Sequence, residues 1–188
     1  MTSIYKIKVD LDNFMYFIFD EESLFSEMED FDPDNIGLPL EFEWVAPKSN
    51  FLKSDSGSTV LPQVCCWGLN DLVIESGAFA ILSDVLSKDI CETYPLKGEA
   101  KDYLYINPIK RYGNEAINLD KTTYEYFDDG SVDCIKNLVF KTDHGITSPI
   151  FTLEIDGGIY LYCIENFKEK VDKNGVSGLL FDAIDVSD

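Results

Sequence analysis

The chain has 188 residues, and its 35 Asp and Glu against 15 Lys and Arg give a formal net charge of -20 at pH 7. This charge excludes nucleic acid and anionic lipid as natural partners, because both bind through Lys and Arg footprints, and it favours a basic protein as partner. With 45% hydrophobic and 13% aromatic residues, the sequence is too apolar for a disordered acidic tail and predicts a folded chain.

The first residues alternate polar and apolar side chains, which predicts strands over Ile4–Val9 and Phe14–Phe19. The polar turn at 10–13 predicts that these two strands pair as a hairpin. The start of the sequence shows neither the apolar region nor the cleavage site of a signal peptide. Because no segment approaches the roughly 20 apolar residues of a membrane helix, we expect a cytoplasmic protein that makes no membrane contact.

An acidic block without Lys or Arg runs from Val9 to Pro47. Leu24, Phe25, Met28 and Phe31 recur within it at near-helical spacing, which predicts a short amphipathic helix with an acidic outer face. Alternation then predicts a strand over 40–45, and Pro47–Gly57 has the composition of an exposed loop.

The rest of the sequence predicts an alternation of short strands with two helices. Leu72–Ile74 is a predicted strand that runs into a helix capped by Ser76 and extending to Leu86. The further predicted elements, in chain order, are the strand Tyr103–Ile106, a hairpin of Thr122–Phe127 with Val132–Phe140, a hairpin of Ile150–Ile155 with Ile159–Cys163, the helix Phe167–Lys173 ended by Asn174-Gly175, and the strand Leu179–Ile184.

These elements predict an α+β fold in a single domain over residues 1–188, with a mixed, mostly antiparallel sheet and few helices. Residues 1–60 form its acidic N-terminal part. Ile74-Glu75-Ser76 and Ile164-Glu165-Asn166 each lead a strand into a helix, which predicts two related strand–helix halves in the fold.

A cysteine hydrolase is one alternative, because Cys66 and the single histidine, His144, are ingredients of papain-like catalysis. The local Gly-Ser-Cys pattern is absent, and the residues around His144 are typical of a loop with an exposed histidine. The five cysteines have no regular spacing and are expected to be reduced. We therefore predict no catalytic residues and no enzyme.

Calcium binding is a second alternative, since Asp30, Asp32, Asp34 and Glu41 fall at positions 1, 3, 5 and 12 of an EF-hand loop. Asn35 replaces the glycine that the sharp turn of such a loop needs, and prolines stiffen the segment. An acidic, solvated turn is the favoured interpretation, and we predict no metal and no cofactor.

Several packing and turn segments of the sequence occur in the same order in a known family. They are Leu61-Pro62-Gln63, Leu72–Ile74 with its helix, Tyr103–Ile109, Ala116–Asp120, Tyr124–Phe127 with Asp129-Gly130, Ile135–Phe140, Ile150–Leu153 and Gly175–Phe181. In this order the chain from residue 61 onward resembles the bacterial immunity protein eleven family, found beside polymorphic and secreted toxins.

The resemblance implies an immunity protein that binds a cognate toxin and occludes its active or substrate-binding surface in the cytoplasm of the producing cell. A basic toxin, such as a nuclease, would complement the negative charge. The alternatives that stay open are the Cys/His hydrolase, a general acidic interaction module or nucleic-acid mimic, and an antidote that reverses ADP-ribosylation. The candidate toxin-binding residues are Asp20, Glu21, Glu22, Glu27, Glu29, Asp30, Asp32 and Asp34, with Asp128 and Asp129 as a second patch.

Overall fold

The computed structural model describes residues 3–27, 38–129 and 132–188. Within these ranges the chain forms short strands in four sheets and three short α-helices, which confirms the α+β class and the mostly antiparallel pairing. The strands are β1 (Ile4–Val9), β2 (Tyr16–Phe19), β3 (Lys48–Leu52), β4 (Val64–Cys65), β5 (Leu72–Glu75), β6 (Cys91–Pro95), β7 (Lys97–Gly98), β8 (Tyr103–Pro108), β9 (Arg111–Tyr112), β10 (Thr123–Tyr126), β11 (Val132–Asn137), β12 (Val139–Phe140), β13 (Ile150–Leu153), β14 (Tyr162–Ile164) and β15 (Leu179–Val186), and the helices are α1 (Glu21–Glu27), α2 (Ser76–Leu82) and α3 (Glu165–Asn174).

The first strand lies inside a six-stranded sheet of order β12-β15-β1-β14-β13-β9. β1 pairs antiparallel with β15 along its whole length, from Ile4 opposite Ile184 to Val9 opposite Leu179, and its other side pairs with β14. Successive side chains of a strand point to opposite faces, and here both faces are covered. Ile4 contributes to an outer cluster around Phe140, Phe151 and Tyr162, whereas Ile7 contributes to a shared cluster with β5, α2 and α3.

A second sheet, of order β4-β5-β8-β6, packs on the other side of the shared cluster. Its strand β5 is buried on both faces, because Leu72 and Ile74 enter the shared cluster while Val73 enters an aromatic cluster around Phe17 and Tyr105. The third sheet, of order β2-β3-β7, also packs against the aromatic cluster. The shared cluster therefore connects the two larger sheets.

Both predicted strand-to-helix transitions are present. β5 passes directly into α2 and β14 into α3, and the two helices reach the shared cluster through Ala78 and Phe167. α2 ends earlier than predicted, at Leu82, and a turn carries Val85 and Leu86 into the same cluster. α3 ends at Gly175, whose φ of 63° gives the left-handed cap that the sequence predicts. None of the helices in the described ranges is long and apolar enough to span a membrane.

The predicted hairpin of the first two strands is wrong. β1 pairs with β14 and β15 instead, and β2 pairs with β3. The alternation of polar and apolar residues does predict both strands, but it carries no information about which distant strand each of them pairs with.

Two predictions between residues 40 and 57 are also wrong. The segment 40–45 is irregular, and the Leu40 N–H and the Trp44 indole anchor it by donating to the Glu92 carboxylate and to the Pro95 carbonyl. The predicted loop Pro47–Gly57 contains β3 instead, because Phe51 on that strand packs into the aromatic cluster.

Gly178 precedes β15 at a point where its backbone passes close to β4. A Cβ at Gly178, where φ is 110°, would lie 2.1 Å from the Val64 carbonyl oxygen, whereas a Cβ at Gly57, where φ is 77°, would meet nothing within 4 Å. We predict that Gly178→Ala lowers the free energy of unfolding by about 3 kcal/mol and Gly57→Ala by about 1 kcal/mol, since only the first adds a clash to the cost of the positive φ. Urea unfolding of both variants measures this difference, and equal losses would contradict it.

Candidate interaction surface

The acidic residues at the start of α1 divide into structural and exposed groups. The Asp20 carboxylate accepts a hydrogen bond from the Ser23 N–H at 2.9 Å, so this half-buried residue caps the helix. Glu21 and Glu22 are exposed in the first helical turn, where carboxylates interact favourably with the helix dipole. Leu24 anchors the helix in the aromatic cluster. Part of the negative charge of this segment therefore stabilises α1.

The remaining predicted contact residues of this segment lie outside what the structure describes. These are the side chain of Glu27 and the residues Glu29, Asp30, Asp32 and Asp34. Most of the candidate calcium loop shares this range, and Glu41 at its end is exposed on the irregular segment that follows. The structure therefore tests neither the calcium alternative nor the prediction that this segment binds no metal.

The second predicted patch, Asp128 and Asp129, lies at the end of a hairpin arm, defined here as residues 123–137. β10 and β11 pair antiparallel, as predicted, and form a two-stranded sheet of their own. Most side chains on both faces of this arm are exposed, Asp128 and Asp129 among them. An isolated hairpin is only marginally stable in water, so the arm depends on its attachment to the body.

The arm is attached to the rest of the protein through residues at its base. Ile135 packs against the outer cluster, where Leu138 is buried. The Thr122 hydroxyl accepts a hydrogen bond from the Val139 N–H at 3.2 Å, which joins the beginning of one strand to the end of the other. β12 then continues from the arm into the six-stranded sheet. The base of the arm is therefore held by the body, whereas Asp128 and Asp129 near its end are exposed.

Two large aromatic side chains lie exposed beside the acidic end of the arm. Tyr126 is 61% and Phe127 56% exposed, and the ring of Tyr126 lies 6.3 Å from that of Tyr124. Exposed aromatic groups that have no core to fill are typical anchors of protein–protein contacts. Nothing in the sequence-based predictions singled out Tyr126 or Phe127, although the sequence does contain a signal. The signal was Tyr-Glu-Tyr-Phe-Asp-Asp, a strand in which neither face is consistently apolar.

The electrostatics of the arm are strongly negative. Its only basic residue, Lys136, lies 3.5 Å from the Glu125 carboxylate, and both groups are more than half exposed. Such exposed pairs contribute little stability. Glu125, Asp133 and Cys134 also bring possible metal ligands within 4.8 Å of one another. All three are exposed and Glu125 already pairs with Lys136, so we assign no metal to them.

A groove of about 500 Å³ lies between β11 and the six-stranded sheet. Asp156 forms part of its wall and accepts hydrogen bonds from the Tyr162 hydroxyl at 2.7 Å and from the Gly158 N–H at 2.9 Å. Burial raises the pKa of Asp156 and lowers that of Lys6. The Lys6 ammonium lies 3.0 Å from the centre of the Tyr160 ring, as a cation–π contact.

The two ingredients of the hydrolase alternative belong to different parts of the core. Cys66 packs against the shared cluster, and burial together with the Asp71 carboxylate raises its pKa well above the usual range. A nucleophilic thiol needs the opposite shift. His144, expected to be exposed, is buried instead. Its Nδ1 accepts the Ile146 N–H at 3.0 Å and its ring packs against Phe140. This geometry offers no activated cysteine.

Comparison with known proteins gives no further identification. No model of a protein family matches the chain, and no curated protein matches it either. The resemblance to the immunity family therefore stays a prediction, and the case for function depends on the surface described above.

The neighbour of Cys66, Asp71, is buried at the end of the loop between β4 and β5. Its carboxylate accepts the N–H groups of Trp67 at 2.8 Å and Gly68 at 3.0 Å. Burial raises the pKa of Asp71 to about 6 despite these two hydrogen bonds. The same loop contacts the six-stranded sheet, because Asn70 donates to the Gly158 carbonyl.

We predict a pH-dependent stability that Asp71→Asn removes. The pKa of about 6 in the folded state exceeds the ordinary value of 3.8, so the folded state holds this proton more tightly. The contribution of Asp71 to the free energy of unfolding therefore falls by about 3 kcal/mol as the pH rises from 4 to above 6. Urea unfolding across this range measures the difference between the native chain and the variant. Asp55→Asn controls for the loss of an exposed carboxylate, and a constant difference between native chain and Asp71→Asn would contradict the prediction.

Proposed function

We propose that this chain is an immunity-type protein that binds a basic bacterial toxin and blocks it by covering its active or substrate-binding surface. The observation that carries the proposal is the hairpin arm, which presents Tyr126 and Phe127 to solvent beside Asp128 and Asp129. Adjacent exposed aromatic side chains beside acidic groups are typical anchors of a protein–protein contact.

Charge and aromatic groups would have separate roles in such a complex. The net charge of -20 would steer a basic toxin towards the chain and raise the association rate above the roughly 10⁵ to 10⁶ M⁻¹s⁻¹ of neutral pairs. Buried aromatic anchors would lengthen the lifetime of the complex. The acidic groups of the arm and of α1 are both available for steering. Within the described residues, α1 exposes the single aromatic ring of Phe25, whereas the arm exposes the adjacent pair Tyr126 and Phe127.

The state of Cys66 disfavours one route of repair of toxin damage. A cysteine nucleophile needs a lowered pKa, and burial raises the pKa of the Cys66 thiol. Inhibition by occlusion requires only a complementary surface and one molecule of inhibitor for each toxin. We infer that the chain acts stoichiometrically in the cytoplasm of the toxin-producing cell.

The proposal is tested with the toxic domain encoded beside the gene of this chain. Co-expression should protect cells, and the two proteins should co-purify. Protection should require at least equal amounts of the two proteins, since occlusion has no turnover. Protection by far smaller amounts would indicate an enzyme, and similar affinity for many unrelated basic proteins would indicate a general acidic module. A neighbouring locus without a toxin would contradict the proposal.

Substitutions in the arm should separate association from dissociation. We predict that Asp128→Asn with Asp129→Asn slows toxin association about 3- to 10-fold and weakens its salt dependence, because two steering charges are lost. Tyr126→Ala with Phe127→Ala should instead raise the dissociation rate about 30-fold or more, as expected for anchors worth about 2 kcal/mol. Surface plasmon resonance at several salt concentrations measures both rates.

Two charge-matched variants control this experiment. Asp55→Asn with Glu169→Gln removes two exposed carboxylates elsewhere, and its rates should remain close to those of the native chain. Glu21→Gln with Glu22→Gln tests the α1 surface directly. If the α1 pair changes the dissociation rate and the arm variants do not, the contact surface is α1 and the arm assignment is wrong.

A further inference from the structure

The groove beside the arm opens where two strands separate. β11 and β12 follow one another, and one side of this continuous segment pairs with β10 and with Ile117. Its other side faces β15, but parallel pairing is confined to Val139 opposite Asp185 and Phe140 opposite Val186. Before residue 138 the segment leaves β15, and the groove of about 500 Å³ lies between 133–138 and 183–185.

Both strands therefore have edges without a strand partner along this groove, as far as the described residues show. β15 pairs with β1 on its inner side from Leu179 to Ile184, and on its outer side with β12 alone. β11 pairs with β10 on the side away from the groove. Unpaired strand edges are templates for another extended chain, which supplies the missing backbone hydrogen bonds.

The side chains of the groove indicate what kind of chain would fit. Ile135, Ile159 and Ile184 provide apolar contact, while the exposed Asp133 and Asp185 place carboxylates around it. Asp156 also lines the groove, but its carboxylate already accepts two hydrogen bonds. The two lysines of the lining already have partners, since the Lys6 ammonium lies over the Tyr160 ring and Lys136 lies near Glu125. An extended segment with alternating apolar and basic side chains complements this lining.

We infer that the groove between β11 and β15 is a strand-docking site, which takes an extended segment of a basic partner protein with alternating apolar and Lys or Arg residues. The identity of that partner as a toxin rests on the proposed function, whereas the docking mode rests on the strand edges alone. The docked segment would lie directly beside the exposed aromatic end of the arm, so both could contact one partner.

A library of short random peptides tests this inference without knowledge of the toxin. Cys134 is exposed and lines the groove, whereas Cys65, Cys91 and Cys163 are buried. Cys66 is half-buried, and burial raises the pKa of its thiol well above the usual range, so labelling is done on a Cys66→Ser background. Labelling Cys134 with a bulky maleimide dye therefore plugs the groove. Peptides are selected on the native chain and then measured by fluorescence anisotropy on native and plugged protein. Enriched peptides should alternate apolar with Lys or Arg residues, and the plug should weaken their binding at least about 10-fold.

Backbone pairing is tested with the best peptide and its N-methylated forms. Two versions carry N-methyl groups on the two alternate sets of amides, and at least one of them should lose binding about 10-fold or more, because a methylated amide cannot donate to a strand edge. Asp133→Lys with Asp185→Lys should also weaken binding. Asp55→Lys with Glu169→Lys, exposed acids outside the groove, should not.

Several outcomes would overturn the inference. One is a selection that yields no peptide whose binding the plug weakens. Another is equal binding of the parent peptide and both N-methylated versions. The third is a native dimer that becomes monomeric when Cys134 is labelled, since a second copy of the chain would then fill the groove. A toxin that binds native and plugged protein equally would overturn the docking site and leave the proposed function intact. Plug-sensitive peptides together with no binding of a toxin would overturn the proposed function and leave the docking site intact.

Discussion

The pairing of the first strand with the last is the constraint on which the rest of the structure depends. β1 joins β15 along six consecutive pairs and β14 on its other side, so the two ends of the described chain meet inside one sheet. Contacts so distant in sequence cost loop entropy before they contribute stability, and such folds form slowly. The same pairing fixes the position of β15, and through β15 it fixes β12, the base of the arm and one wall of the groove.

Local patterns in the sequence predicted the elements well where their neighbours in sequence are also their neighbours in space. The hairpins β10–β11 and β13–β14 were predicted for this reason, and so was the end of α3 at Gly175. The pairing of β1 was not predictable in this way, because its partners lie between 156 and 180 residues later in the sequence. β3 was missed because its polar flanks resemble a loop, although Phe51 is buried in the aromatic cluster.

The candidate surface was predictable only in part, again for a physical reason. Charge is visible in the sequence, so Asp128 and Asp129 were proposed as contact residues. Whether Tyr126 is exposed or buried cannot be decided from the sequence before the fold is known. The groove could not be predicted at all, since it arises from the separation of two strands. Acid content also overstates the available binding surface, because Asp20 caps a helix, Asp71 is buried in a loop and Asp156 accepts hydrogen bonds from its neighbours.

The cluster of acids on the arm also affects the chemistry of its exposed thiol. Slight desolvation and the Glu125 and Asp133 carboxylates raise the pKa of Cys134. Air oxidation proceeds through the thiolate, so these carboxylates disfavour the oxidation of Cys134 to a disulfide with a second molecule. A higher pH favours the thiolate, and storage in alkaline buffer would therefore make a disulfide-linked dimer of two arms easier to form.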